Sequence, residues 1–491
     1  MAAPISRNAP VKHEGLVRFV VIAGLLFVAC GPPPASLPDG AVVFEDSDSG
    51  VVVIDAGVDA GVVVDAGIVV VDAGVDAGVD AGTTVPDAGM PTPDGGLVVY
   101  PFGQTHSPLT AALVDNLRRI AARASHDDDT FMKVGDSNTV NTNHLACFAG
   151  TNVDLAGRTG LQPTLDAFKA TRIGSTTPFD RVTLSAVVGW SATSAIAGSP
   201  SPVEQELTAT NARFATVMYG TNDIQSMNLD AYGRNMFTLV DLLLARGVVP
   251  IVTSIPPRDD SMTADAQVPW YNGVTRALAQ ARGVPYVDLN RELLPLPNHG
   301  ITTVDGLHLN VYVPSGSGRG CLLTSAGLRY GHNVRNLVTL EGLARARNAV
   351  TQRTAPDTTA TLRFGSRLSA DPLVIDTLPF VDVRDTRRDG SRSIASYGAC
   401  STANEGGPEV IYRLEVNRSM TIRATVVSLG ASDIDIHLLR GSVAAANCLS
   451  RNDKTVTMAL MPGTYFLSLD TFVSAGMEKS GEYALVVMEQ P

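Results

Sequence analysis

The chain has 491 residues, with 37 Lys and Arg against 49 Asp and Glu, for a formal net charge of −12. Twelve of the acids fall between Asp39 and Asp94, a stretch without Lys or Arg, so the rest of the chain balances at 37 acids to 37 bases; a balanced body lacks the net-positive face that a nucleic-acid binder needs to displace phosphate counterions. The length suggests two to four domains, and 5 cysteines without a CxxC pair exclude a disulfide scaffold and a zinc ribbon.

The amino terminus reads as an address. Arg7, Lys12 and Arg18 precede an apolar run from Phe19 to Ala29. A helix of that length spans only about half of a ~30 Å hydrocarbon core, too short for a stable anchor. A basic head, a short apolar body and a small residue before Cys30 form an export signal. Leu26-Phe27-Val28-Ala29-Cys30 resembles the bacterial lipoprotein signal, with Phe27 where Leu is usual. That resemblance implies a lipid on Cys30 and attachment to the cell envelope, with the outer membrane or cell surface as the expected place. A plain secretory signal with a chance Cys is the alternative. No other segment has 18 uninterrupted apolar residues, so no transmembrane helix is expected after the signal.

From Cys30 to about residue 97 the composition changes. Asp-Ala-Gly recurs seven times, at Asp55, Asp59, Asp65, Asp72, Asp76, Asp80 and Asp87, with Val between. The spacing is irregular, which excludes an enforced solenoid period and the strict calcium-binding repeat. Frequent Gly and like charges favour an unstructured acidic tether that holds a domain off a membrane.

From about residue 98 to 350, apolar runs alternate with helix-period segments. A helical pattern over Ala111–Ala124 leads to a β-run at Phe131–Val134. Further β-runs follow at Val182–Val188, Phe214–Tyr219, Val248–Ser254 and Val284–Leu289, with helices over Met236–Ala245, Val268–Ala281 and Thr324–Ala349. Five runs with helical crossovers give a parallel five-stranded sheet in an α/β doubly wound layer. Ligands of such sheets sit beyond the carboxyl ends of the strands.

The residues at those ends are Gly135-Asp136-Ser137-Asn138, Gly189-Trp190-Ser191, Gly220-Thr221-Asn222-Asp223 and, after a loop, Asp305-Gly306-Leu307-His308. Each is weak alone. Together, in this order, they resemble the SGNH (GDSL-type) hydrolase superfamily, with Asn138 in place of the Leu of the name-giving motif. The resemblance implies a flavodoxin-like α/β/α sandwich over 98–350. It implies Ser137 as nucleophile, His308 as base, Asp305 as the third triad member, and an oxyanion hole from Ser137, Gly189 and Asn222. The chemistry fits these residue types. A serine hydroxyl needs a base, histidine titrates in the right range, and a carboxylate three residues earlier can hold one ring tautomer. Gly189 is expected to permit close backbone approach, and Asn222 to supply an uncharged donor. Blander roles stand beside these: Ser137 as a helix cap, Asp136 and Asp305 as turn formers, Asn222 in an Asx-turn, Asp223 as a structural cap, and His299 or His332 as rival bases.

Exported cysteines can oxidise. A Cys147–Cys321 bridge would pin the Gly-rich stretch Asn310–Gly320 across the cleft; otherwise both are free thiols. Residues 351–371 read as a connector. Beyond them apolar residues alternate: Val410, Tyr412, Leu414 and Val416, then Ile422, Ala424 and Val426, then Ile434, Ile436 and Leu438, and again around Tyr465 and Tyr483. Period two in short runs predicts an all-β antiparallel sandwich over 372–491. Ser432-Asp433-Ile434-Asp435 and Gly463-Thr464-Tyr465 make it similar to the bacterial pre-peptidase C-terminal domain, which implies a non-catalytic role. Asp433 and Asp435 read as a solvated face, with a calcium site as the alternative. Cys400 and Cys448 are expected to pair.

The sequence thus describes a membrane-tethered extracytoplasmic serine esterase acting on acyl or acetyl esters of glycans or lipids. No metal or organic cofactor is required, no nucleic-acid partner is expected, and a monomer is the expectation. The alternative is a non-catalytic surface lipoprotein that binds polysaccharide or mediates adhesion.

Overall fold

The computed structural model describes residues 97–363, 370–398 and 400–490, together with the short strands Val43–Glu45 and Val51–Val53. The export signal, Cys30 and nearly all of the Asp-Ala-Gly segment lie outside the described residues. Within that segment, Val43–Glu45 pairs antiparallel with Val51–Val53 where an unstructured tether is expected.

Helix α1 (Ala111–Ala121) buries Leu113, Val114, Leu117 and Ile120, the three-to-four spacing of an amphipathic helix. Strand β1 (Asp127–Gly135) is buried from Thr130 onward. There follow α2 (Ser137–Val140), α3 (Gln162–Ala170), α4 (Ala192–Ile196) and α5 (Pro202–Thr210). Ser201 and Glu204 start α5 with a reciprocal capping box. Next come β2 (Ala212–Met218), α6 (Leu229–Ala245), β3 (Val249–Thr253), α7 (Val268–Arg282), β4 (Tyr286–Val287) and α8 (Gly331–Gln352). The sheet runs β1-β2-β3-β4, all parallel. Two helix pairs, α1 with α8 and α6 with α7, pack on it.

The sheet therefore has four strands where five are expected. Val182–Val188 lies beside the free edge of β1, but only one bridge, Gly135 to Ala186, joins them. The reason is local. The Thr183 and Ser185 hydroxyls donate to the Lys133 carbonyl at 2.8 and 2.9 Å, replacing ladder bonds with side-chain bonds. Val182 and Val188 are left 84% and 68% exposed. Counting this segment, the chain order across the sheet is 2-1-3-4-5, the flavodoxin-like order.

The carboxyl-terminal part is an all-β sandwich. Its strands are β5 (Leu373–Ile375), β6 (Phe380–Asp385), β7 (Val410–Val416), β8 (Met420–Ser428), β9 (Ile434–Arg440), β10 (Cys448–Asn452), β11 (Thr455–Leu460), β12 (Gly463–Thr471) and β13 (Glu482–Gln490). One sheet runs β6-β13-β8-β11 and the other β10-β9-β12-β7-β5. All pairs are antiparallel except β5 with β7. The alternating residues expected to share a face do so, and Tyr412, Leu414, Ile436, Leu467, Leu485 and Val487 fill the space between the sheets.

Both outer faces of the sandwich are covered. Val383, Val427, Ala484, Val486 and Met488 join the core of the α/β layer. A Cβ added to Gly233 of α6 would meet Val427 at 2.6 Å, and one on Gly273 of α7 would meet Val486 at 2.9 Å. Arg282 ties Asp241 of α6 to Glu482 of β13 at 2.7 and 2.6 Å, and the Arg423 guanidinium sits 4.2 Å over the Trp270 ring. On the other side Ile394 and Tyr397 pack on Ile411, Leu439 and Phe466, next to the Cys400–Cys448 disulfide. The described residues from Leu97 onward belong to one compact unit. Asp435 is not on a solvated face: it is 2% exposed and ion-paired with Arg451.

Candidate active site

The first block ends β1 and opens α2. Asp136 caps the helix, its Oδ1 accepting the Asn138 N–H at 3.0 Å. It is fully buried, and burial pushes its carboxyl above the usual range against the pull of Arg335. Ser137 stands at the first helical position with a half-buried side chain.

Ser137 Oγ lies 2.8 Å from His308 Nε2, and His308 Nδ1 lies 2.7 Å from Asp305 Oδ2. Asp305 Oδ1 accepts the N–H groups of Leu307 and His308 at 2.9 and 3.0 Å, so its own turn fixes the carboxylate. Burial pushes the Asp305 carboxyl up, but the His308 N–H, the His308 ring and the Leu307 N–H outweigh it and hold it below the usual range. An anionic carboxylate on Nδ1 favours the proton there, which leaves the Nε2 lone pair facing the Ser137 hydroxyl. The rival histidines stand apart. His299 pairs with Asp259 at 2.9 Å. His332 is fully buried, and burial drives its pKa down to about 3.

Asn222 and Gly189 come from two further loops. Asn222 Nδ2 donates to the Trp190 carbonyl at 2.8 Å, which leaves the second N–H of that amide. The Asp223 carboxylate accepts the Ala192 N–H at 3.1 and 3.2 Å and so caps α4; burial raises its pKa to about 6. Gly189 has φ +80°, and a Cβ there would meet nothing within 4 Å. It is glycine for its left-handed backbone, not for the close approach expected of it. Trp190 packs half-buried against the core.

The supporting residues are the part the sequence reading missed. Asn138 Oδ1 accepts the Leu309 N–H at 3.2 Å. Arg335 of α8 donates to the Asn138 carbonyl at 2.6 Å and to Thr139 Oγ1 at 2.9 Å. Asn336 holds Leu145 N–H, Asn143 O and Gly320 O, and Asn333 holds Tyr312 N–H, Arg319 O and Leu322 O. The first turns of α8 thereby anchor both the chain after Ser137 and the chain after His308. His332, Asn333, Arg335 and Asn336, clustered in the first turns of the helix, are the signal that could have found them. Cys147 and Cys321 are bonded with Cα atoms 5.7 Å apart, which fastens the end of the 310–320 stretch to the turn after α2. A cleft of about 410 Å³ opens beside the Asp305 turn, lined by Asp259, Asp260, Asn298 and Thr302 among others.

The sequence model of the GDSL-like lipase/acylhydrolase family matches residues 133–312, the span that contains all four blocks. No curated protein matches the chain. Among solved structures the chain is similar to a GDSL-like lipase of Bacteroides thetaiotaomicron, at 14% identity and TM-score 0.28 over 48% of this chain and 99% of that one. It is also similar to an acetylxylan esterase of Geobacillus stearothermophilus, at 14% identity and TM-score 0.29 over 44% and 93%. A third likeness is to the pre-peptidase C-terminal domain of a Bacillus anthracis collagenase, at 13% identity and TM-score 0.16 over 22% and 89%. Residues 133–312 are thus a GDSL-like lipase/acylhydrolase domain, and the chain that carries them is a carboxylic ester hydrolase.

Proposed function

We propose that Ser137 is the nucleophile of a serine esterase that works outside the cytoplasm, tethered to the cell envelope through a lipid on Cys30, and that its substrates are acyl or acetyl esters of glycans or lipids. The reading rests on one observation, the continuous line from Asp305 Oδ2 through the His308 ring to Ser137 Oγ, with both contacts under 3 Å.

The Ser137 oxygen attacks the ester carbonyl as its proton passes to His308 Nε2, and Asp305 stabilises the imidazolium. The carbonyl oxygen becomes an oxyanion, met by the N–H groups of Ser137 and Gly189 and the second amide N–H of Asn222. His308 returns the proton to the departing alcohol, leaving an acyl-enzyme. Water then gives its proton to His308 and attacks the acyl carbon, and Ser137 leaves with the proton restored. α2 has four residues, so fixed N–H donors rather than a helix dipole stabilise the oxyanion. The substrate class follows from the proposed location: esters outside the cytoplasm are carried by envelope glycans and lipids.

The test is a panel on the full exported chain: p-nitrophenyl acetate and butyrate, acetylated xylan and mannan, and lysophospholipid. Turnover of acetylated glycan or of lipid ester above the aryl acetate background supports the proposal and picks the substrate. Turnover of the aryl ester alone removes the substrate claim. Labelling with a lipid precursor in Cys30→Ala and wild-type cells tests the anchor; incorporation that survives the substitution contradicts it.

A further inference from the structure

One buried guanidinium ties the Asn222 loop to its own loop, and that loop bonds the Asp305 turn through its backbone. Arg258 lies on the loop after β3, and its side chain is 1% exposed. Its Nη1 donates to the Thr221 carbonyl at 2.5 Å, one residue before Asn222. Its Nε and Nη2 donate to the two oxygens of Asp260 at 2.7 and 2.8 Å. The Asp260 N–H donates in turn to the Gly306 carbonyl at 2.9 Å, one residue after Asp305. The two turns touch directly: Gly306 has φ +66°, and a Cβ there would lie 2.7 Å from Asp260 N. The Arg258 N–H is itself held by Asp265 Oδ1 at 2.9 Å.

The geometry points to Arg258 as a positioning residue, a three-pronged brace that fixes the Asn222 loop relative to the Asp305–His308 turn. It touches neither the ester nor the reacting atoms. Its bond to Thr221 fixes the Asn222 loop against residues 258–260, and the Asp260 N–H fixes those residues against the turn of the proposed base. Arginine suits the place because its planar fork meets a carboxylate with two parallel bonds while a third N–H remains for a carbonyl. Lysine carries the same charge but no fork, so one ammonium cannot hold all three acceptors in a fixed plane. The charge matters as well. Asp260 and Asp305 lie near enough to disfavour each other's ionised form, and the Arg258 hydrogen bonds hold the Asp260 carboxyl below its usual range against burial and that repulsion. Without Arg258 an unpaired carboxylate would remain beside Asp305, and the Thr221 carbonyl would lose its donor.

This inference rests on the reading of Ser137 and His308 given above and extends it to a residue no motif contains. It is tested on the full chain with p-nitrophenyl acetate, comparing wild type with Arg258→Lys, Arg258→Met, Asp260→Asn and Ser137→Ala, with melting temperatures taken in parallel. A misplaced catalytic group costs up to ~10²-fold in rate. Arg258→Lys and Arg258→Met are therefore expected to lower kcat by ~10- to 100-fold per folded molecule while KM moves less than about threefold, and Asp260→Asn to act in the same direction. A merely structural Arg258 would lower the melting temperature and leave kcat of the folded fraction untouched. If Arg258→Met does not fold, Arg258→Lys and Asp260→Asn, which keep the local volume, decide alone. A kcat within twofold of wild type in Arg258→Lys, or a loss confined to KM, overturns the brace. Wild-type turnover in Ser137→Ala would instead overturn the underlying site, and an inactive Ser137→Ala beside an unimpaired Arg258→Lys would remove the brace only.

Discussion

Asn138 Oδ1 accepts the Leu309 N–H at 3.2 Å, so the residue after Ser137 holds the residue after His308. The 2.8 Å contact between Ser137 and His308 therefore has a second contact beside it, spanning the same 171 positions of sequence. Asn138 is fully buried, and Asn138→Ala would leave the Leu309 N–H without its partner at a cost of ~1–3 kcal/mol. The expected result is a kcat about tenfold lower on p-nitrophenyl acetate, together with a lower melting temperature. Unchanged values for both would mean that this bond does not set the Ser137–His308 distance.

The sandwich and the α/β layer share a core through Val427, Val486 and Met488. Removing residues 372–491 would uncover that surface along α6 and α7. The shortened chain is expected to aggregate or to melt well below the full chain, so its loss of activity would say nothing about catalysis. In the full chain, Val486→Asp places a charge in the shared core at a cost of at least ~3 kcal/mol. It should lower the single melting transition by about 5 °C or more. Two separate transitions in wild type, with only one of them moved by the substitution, would contradict the shared core.

Glu405 is fully buried behind β9, with Arg451 3.6 Å away and Asp435 beside it. Burial and the Asp435 charge push its pKa up to about 8. The folded chain then keeps a proton that the unfolded chain releases above the ordinary Glu value of about 4.3. This contribution to stability is whole below that pH and is lost as pH rises through about 8. Glu405→Gln removes the linkage. The melting temperature of the variant relative to wild type should climb from pH 5 to pH 8.5, measured by calorimetry in matched salt. A difference that stays flat across that range would show that Glu405 does not titrate in it.

Much of this was legible in the residues. Alternation at Tyr412, Leu414, Ile436 and Leu438 described the sandwich because each of its strands buries one face between the sheets. The runs around Phe131, Phe214 and Ile251 described the parallel strands because those strands are covered on both faces. Ser137 and Asn222 sit in short motifs at strand ends, and Asp305 and His308 in one that follows a loop, which is why the sequence marks them as candidates. Val182–Val188 misled because an apolar, β-branched run reads as a strand whether or not its neighbour's carbonyl is free, and here Thr183 and Ser185 occupy that carbonyl with side chains. Arg258 and Arg335 were not legible as parts of the site, and Asn138 stood in the first block without a role. Each makes a bond to a backbone group far along the chain, and no local pattern records a partner at Leu309, Thr221 or Asn138. The docking of Val486 on Gly273 was hidden for the same reason, since the face a sheet shows to another layer alternates like one shown to its own core.

In the proposed mechanism the Ser137 oxygen takes the acyl group. The direct measurement is treatment of the full chain with a fluorophosphonate, followed by peptide mass mapping, with the hydrolysis rate of Ser137→Ala recorded alongside. One phosphonyl adduct is expected, on Ser137, formed in step with loss of activity, with a fall of at least ~10³-fold in the turnover of Ser137→Ala and folding retained. An adduct on another residue, or turnover in Ser137→Ala near that of wild type, would contradict the mechanism.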